Sequence, residues 1–135
     1  MRQIATESEL NELIAAQSAV MVLFGGSHCG VCQAIKPRLM EMARADFPHL
    51  AMVWIDCEAA GPPCAAQRVF SLPVVQLWFE GQPFDRFVRA FSLAAVRQAI
   101  ERPYEMLFTA PGLVKQAVHN GRVSTGTTDT ERRGW

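Results

Sequence analysis

A net excess of either charge is missing from this chain. Thirteen Lys and Arg residues balance thirteen Asp and Glu residues over 135 positions. Without a basic or acidic field there is no electrostatic footprint for nucleic acid or for an anionic membrane surface. Long apolar runs are missing as well, and none reaches the ~20 residues that span a bilayer. The stretch from Met1 to Glu12 mixes charge with polarity and holds no apolar core of a secretory signal. Internal repeats are absent. Cysteine is scarce, at four, and only one pair has the Cys-x-x-Cys spacing. A zinc site normally calls for a second such pair or a pair of histidines. These absences leave one domain with room for an appendage, no membrane or nucleic-acid partner, and the cytoplasm as the expected compartment. There, four cysteines favour catalysis, metal binding or plain burial over structural disulfides.

Half of the residues are hydrophobic, enough to build a core. The chain is organised around residues 24–37, Phe-Gly-Gly-Ser-His-Cys-Gly-Val-Cys-Gln-Ala-Ile-Lys-Pro. A Val-rich apolar run at 19–24, closed by Gly25 and Gly26, reads as a buried parallel strand. Residues 33–46 read as a helix. Cys29 and Cys32 sit where strand turns into helix. The first helical turn leaves N–H groups unpaired and carries partial positive charge. Both features stabilise a thiolate, which makes Cys29 the expected nucleophile with a lowered pKa. Cys32, one turn further on the same face, is placed to attack a mixed disulfide formed at Cys29.

The remaining elements follow from local signals. Arg2 to Ala5 reads as a short edge strand. Thr6 and Glu9 fit a capping box ahead of a helix with Leu10, Leu13 and Ile14 on its apolar face. In the helix after the cysteines, Ile35, Leu39, Met42 and Ala43 share one side, and Pro37 bends the axis. A second apolar strand spans 50–55 and ends at Asp56, with Trp54 in the core. Gly61-Pro62-Pro63 opens a short helix, whose buried or half-buried faces take Cys64, Ala65, Val69 and Phe70. A strand at 74–80 turns at Gly81-Gln82 and returns over 84–88, and this hairpin makes the sheet mixed. Ser92 caps a last helix through Glu101, and Pro103 stops it. The order β-α-β-α-β-α-β-β-α implies an α/β fold, a central sheet with helices on both faces. Ligands of such sheets bind beyond the carboxyl ends of the strands, where Cys29 falls.

With these residues in view, the sequence resembles the thioredoxin family over about residues 2–102. Cys29-Gly30-Val31-Cys32 is similar to the family's Cys-Gly-Pro-Cys. Pro37 matches the kink proline of its active-site helix. Leu72-Pro73-Val74 is similar to its cis-proline segment, and Gly81 to the glycine of its last hairpin. The resemblance implies a thioredoxin-like three-layer sandwich over residues 1–102 and a thiol–disulfide oxidoreductase that reduces protein disulfides. Cys29 then attacks, Cys32 resolves, Pro73 sits against Cys29, and Leu72 lines the substrate groove. It implies a separate thioredoxin-reductase-like electron donor and no bound cofactor or metal.

The departures from the family define this chain. His28 stands where the family has tryptophan, and Val31 where it has proline. Leu23 replaces the buried acid that helps move the proton of the resolving cysteine, and Met52 replaces its lysine partner. His28 is either an exposed loop residue or the replacement for that proton transfer, since histidine titrates near neutrality. His49 and His119 read as surface residues without a partner.

Cys57 ends the second inner strand and Cys64 follows seven residues later. In one helix they would lie about 10.5 Å apart along the axis, beyond the ~7 Å reach of a disulfide. The loop before Pro62 can bring them together. They are either two free, half-buried cysteines or, since the resemblance extends to thioredoxins with extra cysteines here, a regulatory dithiol. A four-cysteine metal site has atypical spacing. Residues 103–135 form an extension: an apolar cluster of Tyr104, Met106, Leu107 and Phe108, a short helix over 111–120, and a polar stretch from Arg122 that reads as disordered. It either packs on its own domain or holds a partner. The rival to the oxidoreductase is a non-enzymatic adaptor or chaperone using the Leu72–Pro73 groove and this extension.

Overall fold

The structure, a computed structural model, describes residues 1–108 of the chain. Five strands form one mixed sheet: β1 (Arg2–Gln3), β2 (Ala19–Gly25), β3 (Ala51–Asp56), β4 (Val74–Phe79) and β5 (Gln82–Val88). Four helices accompany them: α1 (Glu7–Ala16), α2 (Gly30–Asp46), α3 (Gly61–Ala66) and α4 (Leu93–Phe108). The spatial order is β1-β3-β2-β4-β5.

β2 is the central strand. It pairs in parallel with β3, Val20 opposite Ala51 through Gly25 opposite Asp56. On its other edge it pairs antiparallel with β4, Ala19 opposite Phe79 through Phe24 opposite Val74. All seven of its residues are buried. Alternation divides them between two faces. Met21 and Leu23 join Leu39, Met42, Trp54, Val75, Leu77 and Ile100 on the side of α2 and α4. Val20, Val22 and Phe24 join Leu10, Ile14, Val53, Ile55 and Val69 on the side of α1 and α3. This is the expected three-layer arrangement.

The sheet changes direction one strand before the hairpin that was expected to make it mixed. α3 has six residues and so climbs only about 9 Å. β3 has travelled about 20 Å to reach the same edge. Such a short helix does not carry the chain back to the far edge, so β4 starts beside the end of β2 and runs down.

Two further expectations give way. Val69 and Phe70 lie past the end of α3. Val69 is buried, but Ala65 is exposed and Phe70 is 82% exposed. The short helix buries only Pro63 and Cys64, which leaves no apolar face for Phe70 to join. Pro103 does not stop the last helix: α4, capped by Ser92 Oγ accepting from the Ala95 N–H, runs through it to Phe108. A proline inside a helix costs a hydrogen bond and a clash, about 3 kcal/mol. The residues after it offset that cost by docking. Tyr104 packs edge-on against buried Phe47, ring centroids 5.0 Å apart, and its hydroxyl accepts the His49 N–H at 2.8 Å. The His49 and Phe108 rings stack at 5.1 Å, so exposed His49 has partners the sequence did not disclose. The helix expected over 111–120, His119 and the polar stretch lie outside the described residues.

This docking can be measured by urea unfolding. Tyr104→Ala is expected to lose about 1–2 kcal/mol of stability, and Tyr104→Phe about 1 kcal/mol for the hydroxyl alone. A Tyr104→Ala protein as stable as wild type would show that the turns past Pro103 do not hold the fold.

Candidate active site

β2 delivers the chain to the sheet edge and Gly25 and Gly26 turn it. A Cβ at Gly25 would lie 2.7 Å from the Trp54 ring and 2.9 Å from Cys32 Cβ. Glycine is required there because strand, tryptophan and cysteine meet at van der Waals contact. The Cys29 N–H closes a turn onto the Gly26 carbonyl at 3.1 Å, and the Gln33 side-chain amide donates to the same carbonyl at 3.1 Å. α2 starts at Gly30, a turn earlier than its apolar periodicity announces, with Cys29 as its N-cap. The Cys29 sulfur accepts the Cys32 N–H at 3.2 Å.

Cys29 and Cys32 form a disulfide, their Cα atoms 5.2 Å apart. Cys29 is half-buried, while Cys32 has no exposed surface. On reduction, the N-terminal N–H groups and positive end of α2 favour a thiolate at Cys29. Cys32 belongs to the apolar cluster that includes Leu23, Leu39, Trp54 and Val75. Leu23, in the place of the family's acid, is fully buried. Lys36 of α2 lies over the Trp54 ring, its Nζ 4.3 Å from the ring centroid.

The turn after β3 grips the loop that precedes Cys29. Ser27 Oγ donates to Asp56 Oδ2 at 2.6 Å, and the Cys57 N–H donates to the Gly25 carbonyl at 2.7 Å. The Glu58 carboxylate accepts the His28 N–H at 3.2 and 3.3 Å and pairs with His28 Nδ1 at 2.7 Å. The Ser27 hydroxyl, with backbone N–H groups behind it, holds the Asp56 carboxyl below the usual aspartate range against the effect of burial. The hydrogen bond and charge of Glu58 raise the His28 pKa. Glu58, Asp56 and Ser27 escaped the sequence reading. Their only signal was two acids following a strand that ends at the nucleophile's edge.

Cys57 and Cys64 also form a disulfide, with Cα atoms 5.9 Å apart. Of the two alternatives left open by the sequence, free or bridged, the structure shows the bridge. Cys64 is buried and Cys57 half-buried. Across the site, the Leu72–Pro73 peptide is cis. Leu72 is half-buried and Pro73 buried. Because Val74 pairs with Phe24, Pro73 lies at the same sheet edge as the cysteines. The Arg89 N–H fixes the Pro73 carbonyl at 2.8 Å. The turn leading to this segment is held by Arg86, which donates to the carbonyls of Gln67 and Arg68 at 3.0 and 2.7 Å. Val31, 61% exposed, and Phe70 present apolar surface on the start of α2 and on that turn. Among the described residues, no group of three His, Cys, Asp or Glu side chains is placed to hold a metal ion. No helix there is long and apolar enough to cross a membrane.

The second disulfide closes a short loop. Replacing both Cys57 and Cys64 with Ser is expected to cost about 2 kcal/mol of stability through loss of that closure, measured by urea unfolding without reductant. Equal stability with and without the pair would mean that the loop is held by its hydrogen bonds alone.

The family model described as Thioredoxin matches residues 2–102. The thioredoxin of Geodia cydonium is 24% identical over 101 residues, 73% of this chain and 94% of that protein. Thioredoxin-1 of Saccharomyces cerevisiae is 30% identical over 98 residues, 73% of this chain and 93% of that protein. Among solved structures, Fasciola hepatica thioredoxin superposes with a TM-score of 0.69 at 27% identity, covering 76% of this chain and 98% of that one. Oxidized mitochondrial thioredoxin 3 of Saccharomyces cerevisiae gives 0.69 at 21% identity, covering 75% and 93%. With a reachable cysteine capping a helix and a buried one bonded to it a turn later, the chain belongs to the thioredoxin family and is a dithiol–disulfide oxidoreductase.

Proposed function

We propose that this protein works in the reducing direction in the cytoplasm, delivering two electrons to disulfides of other proteins, and that a separate thioredoxin-reductase-like donor restores its dithiol. The observation that carries this reading is the difference between the two sulfurs. Cys29 is reachable and sits at the positive end of α2, whereas Cys32 is sealed beneath it. The Cys29 thiolate bonds to one substrate sulfur, and the other leaves with the electron pair of the broken S–S bond. Cys32 then bonds to Cys29 and expels the second substrate sulfur. Leu72 and Pro73, at the same edge, form one wall of the groove for the substrate chain, and exposed Val31 and Phe70 suit an apolar segment within it. In this reading the Cys57–Cys64 pair is a regulatory dithiol, which the grip of its loop on the loop of Cys29 supports.

Insulin-disulfide reduction with dithiothreitol tests the reaction. Wild type is expected to accelerate it, Cys29→Ser and Cys32→Ser to lose that acceleration, and Cys32→Ser to accumulate a mixed disulfide at Cys29. A wild type no faster than dithiothreitol alone would transfer the weight to a non-enzymatic adaptor.

In this reading His28 is the proton-transfer group beside Cys29, in place of the acid that Leu23 has displaced. Its raised pKa keeps it protonated further into the neutral range, and an imidazolium beside a thiol favours the thiolate. His28→Ala is expected to move the Cys29 thiolate titration, followed by ultraviolet absorbance of the reduced protein, to higher pH. An unchanged titration would remove His28 from the chemistry.

A further inference from the structure

We propose that Glu58 is a positioning residue for disulfide exchange: it holds His28 in one orientation and one tautomer, leaving Nε2 as the atom that carries the mobile proton. This rests on the reading of His28 as the proton-transfer group.

The geometry is a two-point grip. One carboxylate takes both the backbone N–H of His28, at 3.2 and 3.3 Å, and ring Nδ1, at 2.7 Å. The two residues are thirty positions apart in sequence, so folding alone brings them together. Glu58 is itself anchored: its N–H donates to Asp56 Oδ1 at 2.9 Å, and its neighbour Cys57 is tied both to Cys64 and to the Gly25 carbonyl. A carboxylate accepts but does not donate when ionised, so Nδ1 keeps its hydrogen in both charge states of the ring. Only Nε2 then gains and loses a proton. The His28 side chain is 91% exposed, which leaves that nitrogen open to an arriving substrate. A nucleophile, the imidazole of the residue preceding it in the chain and an acid that orients that imidazole are the parts by which proteins manage proton traffic at a reactive sulfur or hydroxyl.

The protons balance. The reduced protein starts with one proton on Nε2 and one on the Cys32 thiol, beside a Cys29 thiolate. As Cys29 bonds to the substrate, the Nε2 proton passes to the departing sulfur. As Cys32 bonds to Cys29, its proton goes to Nε2 and on to the second departing sulfur. Two thiols are released, both electrons come from the protein's dithiol, and no other reductant enters.

Among the described residues, the charged and titratable groups around His28 are few. From the end of β3 and the turn after it come Asp56, bonded to Ser27, and Glu58. α2 contributes the two cysteines and Lys36, which is engaged over Trp54. The cis-proline segment, Ser71-Leu72-Pro73, holds no titratable side chain, and Arg89 follows β5. Among the described residues, Glu58 alone reaches the ring with a hydrogen bond.

The test uses the full-length reduced protein as wild type, Glu58→Gln, His28→Ala and the double variant, each checked for native circular dichroism. NMR follows the His28 ring through pH, and mass spectrometry follows iodoacetamide labelling of the Cys29 peptide. Glu58→Gln is expected to lower the His28 titration toward the ~6.5 of a free imidazole, to slow Cys29 labelling at neutral pH severalfold, and to slow it no further once His28 is Ala. A titration that stays in place in Glu58→Gln, or equal slowing in both backgrounds, overturns the assignment of Glu58 to His28. If His28→Ala itself leaves labelling unchanged, the role of His28 falls and takes Glu58 with it. If His28→Ala slows labelling and Glu58→Gln does not, only the role of Glu58 falls.

Discussion

Every other part of this molecule depends on a strand with no free side. β2 is hydrogen-bonded along both edges and buried on both faces. Its alternate residues feed two separate cores, and each core exists only because a helix pair covers it. Sliding β2 by one residue would exchange the two sets of side chains between cores, so its register is strongly specified. The reactive sulfur inherits that precision. Cys29 follows Gly25, the last residue of β2, by four positions, with Gly26 in the turn between them.

Strand burial also explains why some of the chemistry sits where it does. A charged group on β2 would have to be desolvated on every side, which costs several kcal/mol unless paired. Leu23 carries no such cost. The ionisable groups of this site instead stand at the rim: Asp56 as the last residue of β3, Glu58 just after it, and His28 before α2. There His28 and Glu58 keep contact with water, buried Asp56 is bonded by Ser27, and the partners meet across the gap between two strand ends. The site has an apolar floor, with Cys32 in it, and a polar rim around Cys29.

What the sequence disclosed and what it withheld divide along the same line. Continuous apolar runs at 19–24 and 50–55, the Thr6–Glu9 capping box and the Gly81 turn each act over a few residues, and the structure contains all of them. The cysteine pair and Leu72–Pro73 were legible because their spacing is local. Phe70, Pro103 and Glu58 were not. Phe70 is exposed because α3 ends too early to shelter it, and Pro103 is tolerated because Tyr104 and Phe108 dock on a loop over fifty residues away. Glu58 matters only because β3 lies beside β2. Each outcome is decided by contacts between distant segments, which periodicity and propensity do not contain.

The complete burial of Cys32 has a kinetic consequence. Only one sulfur of the pair can be touched from outside, so whatever oxidises the protein and whatever reduces it must approach the same atom. The two cannot be bound productively together. One must depart before the other arrives, and the enzyme carries the electrons between them as a covalent change in itself. Such a protein turns over by alternating visits, a ping-pong course, and a surplus of either visitor holds the other away from the only open door.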